Sequence, residues 1–533
     1  MKTRFLTMSF LLSGFLFMVA APAWAQTPVS ADKKLSTPQL IEAALANGEI
    51  DQETAYLYLS YALGDYDSLP VQYHSNVPWD GTFTLARLQK AVKTMKVSPK
   101  RTKVIEILSG SCSNSSGSLS TILNTTHFHI QYSTIGGGLT IGHYQTSLET
   151  TWTKEIDQFG WAAPPVLSSN PPPGNRYHVR IAGLGGGLYG FVSSFGTHAG
   201  FVGNNPNTAW NDGDAYASCM VLNRDYSGFP GSSQQALDAT TAHEFNHSIQ
   251  YGYGVLDGSN APDTAFIEGG ATWMEDEVFD SANDNYNYLW PDFGIGMGEY
   301  FEYPYPYWIT FRGLTERYGA GVAGGGEQVM QDFWEEISQN SASEMLDALN
   351  SALINKGTTL ADAYHAYAVA VKFNKQCGGG YSYPYCFEEG SNYVALAGTT
   401  PLNGSILNSV SGSSNGSIED NYALNWIVLI NSGSPYNITL QNTSASGQLR
   451  GSVVCDTGST LNVIPLPAVV GSGGSTTLNN FNPAGCASVV AVITNQAQTG
   501  GNPSFSFARS YTLTLSGGDF VPLDTYLPLV AAN

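Results

Sequence analysis

The sequence predicts an α+β fold from three successive patterns along the chain. Between residues 37 and about 98, apolar residues recur at helical spacing. From about Lys103, short segments that alternate apolar and polar residues predict strands, and further helical patterns follow them. After about Gly398 the helical patterns stop. Short apolar runs separated by Gly, Ser and Asn then predict a small antiparallel β-sandwich.

Individual elements follow from periodicity and from residues that start or stop a helix. Asn47-Gly48 ends the first helix, and a Gly/Pro turn at residues 228–231 leads into the helix that carries the main motif. The predicted helices are at residues 38–45, 52–63, 83–95, 327–339, 344–355 and 360–373. The predicted strands are at residues 128–132, 177–181, 215–222, 425–430, 436–440 and 487–493.

These patterns predict five segments in the 533-residue chain, which is too long for one small domain. They are a signal peptide (1–25), a helical N-terminal segment (26–102), an α+β domain (103–397), a β-sandwich (398–516) and a C-terminal tail (517–533). The helical segment is either a packed subdomain or a propeptide that covers the functional site. Both alternatives stay open at this point.

Residues 1–25 have the three parts of a secretory signal. Lys2 and Arg4 provide the positive start, residues 5–20 the apolar core, and Ala23-Trp24-Ala25 the cleavage site. This is the only apolar run near membrane-spanning length. We therefore expect a secreted, extracellular protein that does not bind membranes.

Composition excludes some classes of partner. The chain has 22 Lys and Arg against 43 Asp and Glu, which gives a net charge of −21. Such an acidic protein would be repelled by nucleic acid and by anionic membranes. We expect a monomer, although the sequence does not determine the oligomeric state.

The six cysteines are compatible with three disulfides in an oxidising compartment. None is spaced as Cys-x-x-Cys, so a zinc site built from thiolates is not expected. Proximity in sequence predicts the pairs Cys377–Cys386 and Cys455–Cys486, which leaves Cys112 with Cys219.

The main motif is His243-Glu244-x-x-His247. Histidines four residues apart lie on the same side of a helix, so both imidazoles can bind one metal ion. Glu244 stands beside them, where its carboxylate can act as a general base on a water molecule. The motif therefore predicts a catalytic zinc ion held by His243 and His247.

After a turn at residues 251–262, a second helix is predicted, and it carries Glu268 and Glu275. A zinc site with two histidines needs a third protein ligand and an open fourth position. Glu268 is the predicted ligand, because the turn before it lets this helix run back toward the motif. Glu275 lies on the same helix face, and we expect it to accept a hydrogen bond from a ligand histidine.

These two helices resemble those of the gluzincins, a group that includes thermolysin-like and aminopeptidase-like zinc peptidases. A closer resemblance is to secreted bacterial zinc peptidases of the MXAN_6640-like group, on residues 223–229, 240–250 and 268–276. The matching patterns are Asn-x-Asp-Tyr-x-Gly-Phe, Thr-x-x-His-Glu-Phe-x-His-x-Ile-Gln and Glu-x-x-Ala-Thr-Trp-Met-Glu-Asp. The resemblance implies a zincin-like α+β catalytic domain.

The chain departs from the aminopeptidase-like branch in one element. The Gly-x-Met-Glu-Asn element that holds a free amine is missing, and residues 296–299 imitate it poorly. Cleavage within chains is therefore favoured over removal of terminal residues. We expect Tyr305 or Tyr307 to stabilise the oxyanion, with His365 as a weaker candidate.

Asp276, Asp280 and Asp284 recur every four residues and are weak candidates for Ca²⁺ binding, because no calcium-loop pattern is present.

Taken together, the motif, the second helix and the signal peptide predict a secreted zinc metalloendopeptidase that acts on proteins or peptides. Two alternatives stay open. One is a non-catalytic adhesin or carbohydrate-binding protein on a zincin scaffold, and the other is an aminopeptidase.

Overall fold

Helices and β-sheets occur together in the computed structural model, which confirms the predicted α+β class. The structure describes residues 34–113, 119–167, 171–197, 199–256, 264–289, 304–319, 325–340, 344–397, 406–407, 411–418, 420–497, 499–501 and 508–517. The predicted signal peptide and almost all of the predicted C-terminal tail lie outside these residues, as do residues 296–299.

The element bounds agree closely with most of the predicted helices. Within the described residues the helices are α1 Thr37–Ala46, α2 Gln52–Gly64, α3 Thr82–Thr94, α4 Pro99–Gly110, α5 Ile141–Trp152, α6 Ser233–Gly252, α7 Thr264–Val278, α8 Trp308–Thr315, α9 Glu327–Gln339, α10 Met345–Asn355, α11 Leu360–Phe373 and α12 Gly390–Ala397. None of these helices combines the length and the apolar character needed to cross a membrane.

The strands form sheets in both halves of the chain. They are β1 Thr121–Asn124, β2 Phe128–Tyr132, β3 Tyr177–Ala182, β4 Gly190–Ser193, β5 Phe201–Gly203, β6 Ala215–Tyr216, β7 Cys219–Asn223, β8 Ile406–Leu407, β9 Gly412–Ile418, β10 Leu424–Leu429, β11 Tyr436–Asn442, β12 Gln448–Asp456, β13 Leu461–Val470, β14 Ser475–Phe481, β15 Ser488–Asn495 and β16 Arg509–Ser516.

The sheet nearest the motif has the strand order β1-β2-β3-β7-β4. Strands β2, β3 and β7 are parallel, while β1 and β4 join antiparallel at the two edges. Side chains alternate between two cores because successive residues of a strand point to opposite faces. On β4, Phe191 packs in the core of the N-terminal helices, whereas Val192 packs in the core that contains α6. Helices therefore cover both faces of this sheet.

The N-terminal segment also contacts the edge of the sheet at β4. The backbone N–H groups of Trp79 and Gly81 donate to Gly187 (3.0 Å) and Gly190 (2.9 Å). Gly81 suits this close approach, since a Cβ there would lie 3.0 Å from the Cβ of Phe191. The Cys112–Cys219 disulfide links the chain just after α4 covalently to β7.

Two predicted elements need correction. The strand pattern expected from about Lys103 does not start there, because α4 continues to Gly110. Ser98 caps this helix by accepting from the N–H of Arg101 at 3.2 Å, and Pro99 occupies its first position. The strand predicted at 215–222 is divided into β6 and β7, because β6 pairs with β5 in a separate two-stranded sheet.

The C-terminal strands form two sheets that share one apolar core. Their orders are β13-β12-β15-β10-β8 and β14-β11-β16-β9. The first sheet packs against α11, where the indole N–H of Trp426 donates to the carbonyl of Ala368 at 3.1 Å. All three predicted disulfides are present, and they indicate an oxidising compartment.

Candidate metal centre

Helix α6 carries the motif, and the helix is buried along most of its length. Ser232 caps its start in a reciprocal arrangement with Gln235. His243, Glu244 and His247 are at most 1 % exposed. Burial of polar side chains is costly unless they have partners, so this helix requires a polar environment inside the protein.

Three side-chain atoms from α6 and α7 converge on one point. The Nε2 atoms of His243 and His247 lie 3.1 Å apart, and Oε2 of Glu268 lies 3.2 Å and 3.4 Å from them. Zinc bonds of about 2.0–2.1 Å in tetrahedral geometry place ligand atoms about 3.3–3.4 Å apart. The three predicted ligands therefore fit one face of a tetrahedral zinc site, although the geometry does not identify the metal.

Each ligand histidine has a hydrogen-bond partner on its other nitrogen. Nδ1 of His243 lies 2.7 Å from Oε1 of Glu275, the contact predicted from the sequence. Nδ1 of His247 lies 2.8 Å from Oε1 of Gln250, which the sequence interpretation missed. Donation from Nδ1 to these oxygens leaves both Nε2 lone pairs for a metal ion. Gln250 is three residues beyond His247 on the same helix, so its spacing could have revealed it.

Glu244 has a partner from the N-terminal segment. The hydroxyl of Thr82 donates to Oε2 of Glu244 at 2.6 Å and accepts from the N–H of Val192 at 2.8 Å. The other carboxylate oxygen of Glu244 is buried and has no hydrogen-bond partner in the part of the chain that the structure describes. The carboxylate is thus fixed at one oxygen, and its second oxygen remains available to a water molecule.

Asp80, two residues before Thr82, joins the same group of acids. One of its carboxylate oxygens lies within 4.8 Å of ligand atoms of His243 and Glu244. Burial raises the pKa of Asp80 well above its usual value, and the nearby Glu244 carboxylate adds to this effect. Sequence reasoning found neither Asp80 nor Thr82, because both are far from the motif along the chain.

The pKa shifts describe a crowded anionic site. Burial raises the pKa of Glu244 and raises that of Glu275 to about 8. Burial opposes ionisation of Glu268 as well, but His247 and His243 lower its pKa to about 2. Glu268 also has one buried oxygen, Oε1, for which the described residues provide no hydrogen-bond partner. A divalent cation between these groups would offset their mutual repulsion, so the residues present fit a bound metal.

The three predicted oxyanion candidates lie in different places. The ring of Tyr305 is 6.2 Å from that of His243, so it borders the candidate site. Tyr307 packs in the core, where its ring is 5.2 Å from Phe311. His365 lies on α11, and its ring nitrogens contact hydroxyl groups of the β-sandwich at 2.7 Å and 2.9 Å.

A cavity of about 1240 Å³ lies elsewhere, between the N-terminal helices and residues 182–187. Tyr66, Arg180 and Arg224 line it, and none of the three predicted metal ligands does. The metal centre is therefore assigned from the converging ligand atoms and not from cavity size.

Comparison of the sequence with models of known families finds no match, and comparison with curated proteins finds none either. The functional assignment therefore depends on the geometry of the site itself.

Proposed function

We propose that this protein is a secreted zinc-dependent metalloendopeptidase. The observation that carries the proposal is the convergence of His243, His247 and Glu268 at 3.1–3.4 Å, with Glu244 beside them. When bound at this site, a zinc ion would act as a Lewis acid that polarises a peptide carbonyl and lowers the pKa of a bound water molecule. The three disulfides agree with a location outside the cytoplasm.

Glu244 acts as the general base in this proposal. Its Oε1 atom, which has no hydrogen-bond partner among the described residues, takes a proton from the attacking water and later returns it to the leaving amine. Thr82 holds Oε2 and so keeps the carboxylate oriented. Tyr305 is the better placed of the two predicted tyrosines for donation to the oxyanion, because its ring borders His243.

The test combines metal analysis with a base-deficient variant. Purified protein should contain about one zinc ion per chain at the catalytic site. Glu244→Gln should keep that ion and lose peptide cleavage by about 100-fold or more, whereas the exposed Glu49→Gln should behave as wild type. Protein without a bound transition metal, or a Glu244→Gln variant with full activity, would contradict the proposal.

Internal cleavage can be distinguished from removal of terminal residues with matched peptides. A metalloendopeptidase should cleave N-blocked and free peptides at similar rates, since neither needs a bound amine. An aminopeptidase would require the free amine. A non-catalytic scaffold would cleave neither peptide under any metal condition.

A further inference from the structure

A smaller cavity of about 490 Å³ lies on the sheet face opposite α6, and its volume is in the range of small-molecule sites. Ile130 and Val179 pack in the core that contains α6. The residues next to them on β2 and β3 point to the other face, because successive residues of a strand alternate. His129, Gln131 and His178 therefore line this cavity. Its remaining walls are mainly apolar and include Val166, Leu167, Pro171, Pro172, Pro173 and Phe195.

Two polar atoms of the residues that line this cavity are buried and have no hydrogen-bond partner among the described residues. They are Nε2 of His178 and Oε1 of Gln131. His129 is 7 % exposed, and its Nδ1 atom lies 2.7 Å from Oδ1 of Asn124. The ring centres of His129 and His178 are 5.7 Å apart, so the two imidazoles lie side by side. Buried polar atoms without partners need an explanation, and a ligand with matching polar groups supplies one.

The charges that act on the two histidines are positive. Burial, together with His129 and Arg180, lowers the pKa of His178 to about 4. Burial also lowers the pKa of His129, and Arg176 acts in the same direction. Among the described residues that line the cavity there is no Asp or Glu. Such a cavity is an exception in a chain with 43 Asp and Glu against 22 Lys and Arg, and its charge favours an anion.

Arg180 provides the main positive charge, and it lies two residues after His178 on the same face of β3. Its side chain is largely buried, with 9 % of the residue exposed, and Nη1 donates to the carbonyls of Gly110 and Ser111 at the end of α4. Its Nε atom is buried and has no hydrogen-bond partner in the described part of the chain. Burial lowers the pKa of Arg180, and no carboxylate raises it. Arg180 lines the larger cavity, which adjoins the smaller one at Ser113.

We propose that the smaller cavity binds a small monovalent carboxylate with an apolar body. Arg180 and Nε2 of His178 donate to the carboxylate, and hydrogen bonds to a charged group are stronger than those between neutral groups. One guanidinium compensates a single negative charge, so a carboxylate fits better than a divalent phosphate. Leu167 and Phe195 contact the hydrocarbon part. Oε1 of Gln131 can accept from a hydroxyl group of such a ligand.

This cavity and the candidate metal centre are separate sites. The predicted metal ligands lie on α6 and α7, and α6 packs against the opposite face of the sheet. A carboxylate can also coordinate zinc, so the test has to distinguish the two sites. Variants of the cavity residues do so, because none of these residues belongs to the metal centre.

The test is isothermal titration calorimetry of the full-length, zinc-loaded protein with hexanoate. We expect a saturable site that takes about one hexanoate per chain. Hexanamide has nearly the same shape but no charge, and its affinity should be lower by about tenfold or more. Equal affinities for the two compounds, or no hexanoate binding by the wild-type protein, would overturn the proposal.

Arg180→Met and His178→Phe remove the two donors, and each should weaken hexanoate binding by about tenfold or more. His127→Phe is the matched control, because His127 contacts Glu149 and stacks on Trp152 outside the cavity. Arg180 also bonds the end of α4, so thermal unfolding has to show that its variant is folded. His178→Phe tests the site without removing that contact. Unchanged affinity in His178→Phe, or an equal loss in His127→Phe, would contradict the assignment.

Discussion

Thr82 is the residue that connects Glu244, the proposed general base, to the edge of the sheet. Its single hydroxyl donates to Glu244 and accepts from the backbone of Val192 on β4. One side chain therefore sets the position of the Glu244 carboxylate relative to the sheet edge. This contact joins residues 162 positions apart in sequence.

Replacement of this hydroxyl should reduce turnover more than binding. Thr82→Val removes the donor to Glu244, and we expect kcat to fall about 10- to 100-fold with little change in KM or zinc content. Thr82→Ser keeps the hydroxyl and should retain most of the activity. Steady-state kinetics on both variants tests this, and equal kcat values for Val and Thr would show that the contact does not orient the base.

Substitution of Gln250 should lower the affinity for zinc and leave the position of Glu244 unchanged. Gln250→Ala removes the acceptor for Nδ1 of His247, so zinc affinity should fall about 10- to 100-fold. Gln234→Ala is the control, because Gln234 lies in the first turn of the same helix and bonds Asp238 instead. Competition with a zinc chelator measures both affinities. Identical affinities for the two variants would remove Gln250 from the site.

The sequence predicts those site residues that a single helix brings together. His243 and His247 share a face through local spacing alone, and Glu268 and Glu275 follow the same rule on the next helix. Thr82 and Asp80 could not be predicted in this way. Their position depends on how residues 79–81 pair with β4, which is a tertiary contact without a local pattern.

At the scale of elements, a helix is predicted where its own sequence has a clear apolar pattern and is missed where that pattern is weak. The helix α9 was predicted to the residue because Val329, Phe333 and Ile337 form a clear apolar stripe. The helix α4 buries only Val104 and Leu108, so its periodicity is weak. Ser98-Pro99 nevertheless marks its start, and these two residues were the overlooked signal.

The disulfide at the end of α4 should contribute more stability than the shorter one before α12. Cys112 and Cys219 are 107 residues apart, whereas Cys377 and Cys386 are only 9 apart. Closing the longer loop restricts the unfolded chain more strongly. Replacing both cysteines by serine in each pair should cost about 2 kcal/mol more for the longer loop. Chemical denaturation compares the two double variants, and an equal loss in both would contradict this chain-entropy explanation.

At the scale of the whole molecule, His365 sits where α11 meets the β-sandwich. Its two ring nitrogens contact the hydroxyls of Ser452 and Thr494, which fixes the helix against the first sheet. Burial lowers the pKa of His365 to about 3, and the charge of Arg450 acts in the same direction. The neutral form is therefore the one that fits this interface.

Acid should weaken this interface through His365. The unfolded chain binds a proton near pH 6.5, whereas the folded protein resists protonation until about pH 3. The contribution of neutral His365 to the free energy of unfolding is therefore fully present above pH 6.5. It is lost as the pH falls toward 3, at about 1.4 kcal/mol per pH unit. Urea unfolding at several pH values should give a steeper loss for wild type than for His365→Gln. Parallel curves would mean that His365 does not titrate in this way.

The Cys112–Cys219 bridge lies on the C-terminal side of α4, so it cannot retain a fragment that is cut off before Cys112. Val97, between α3 and α4, is 90 % exposed and offers an accessible site for such a cut. A nick there leaves Asp80 and Thr82 upstream of the bridge, on a fragment that only packing retains. A nick before Trp79 leaves both residues attached to the rest of the protein through the main chain. The two nicked forms would then differ in whether Glu244 could lose its partner Thr82.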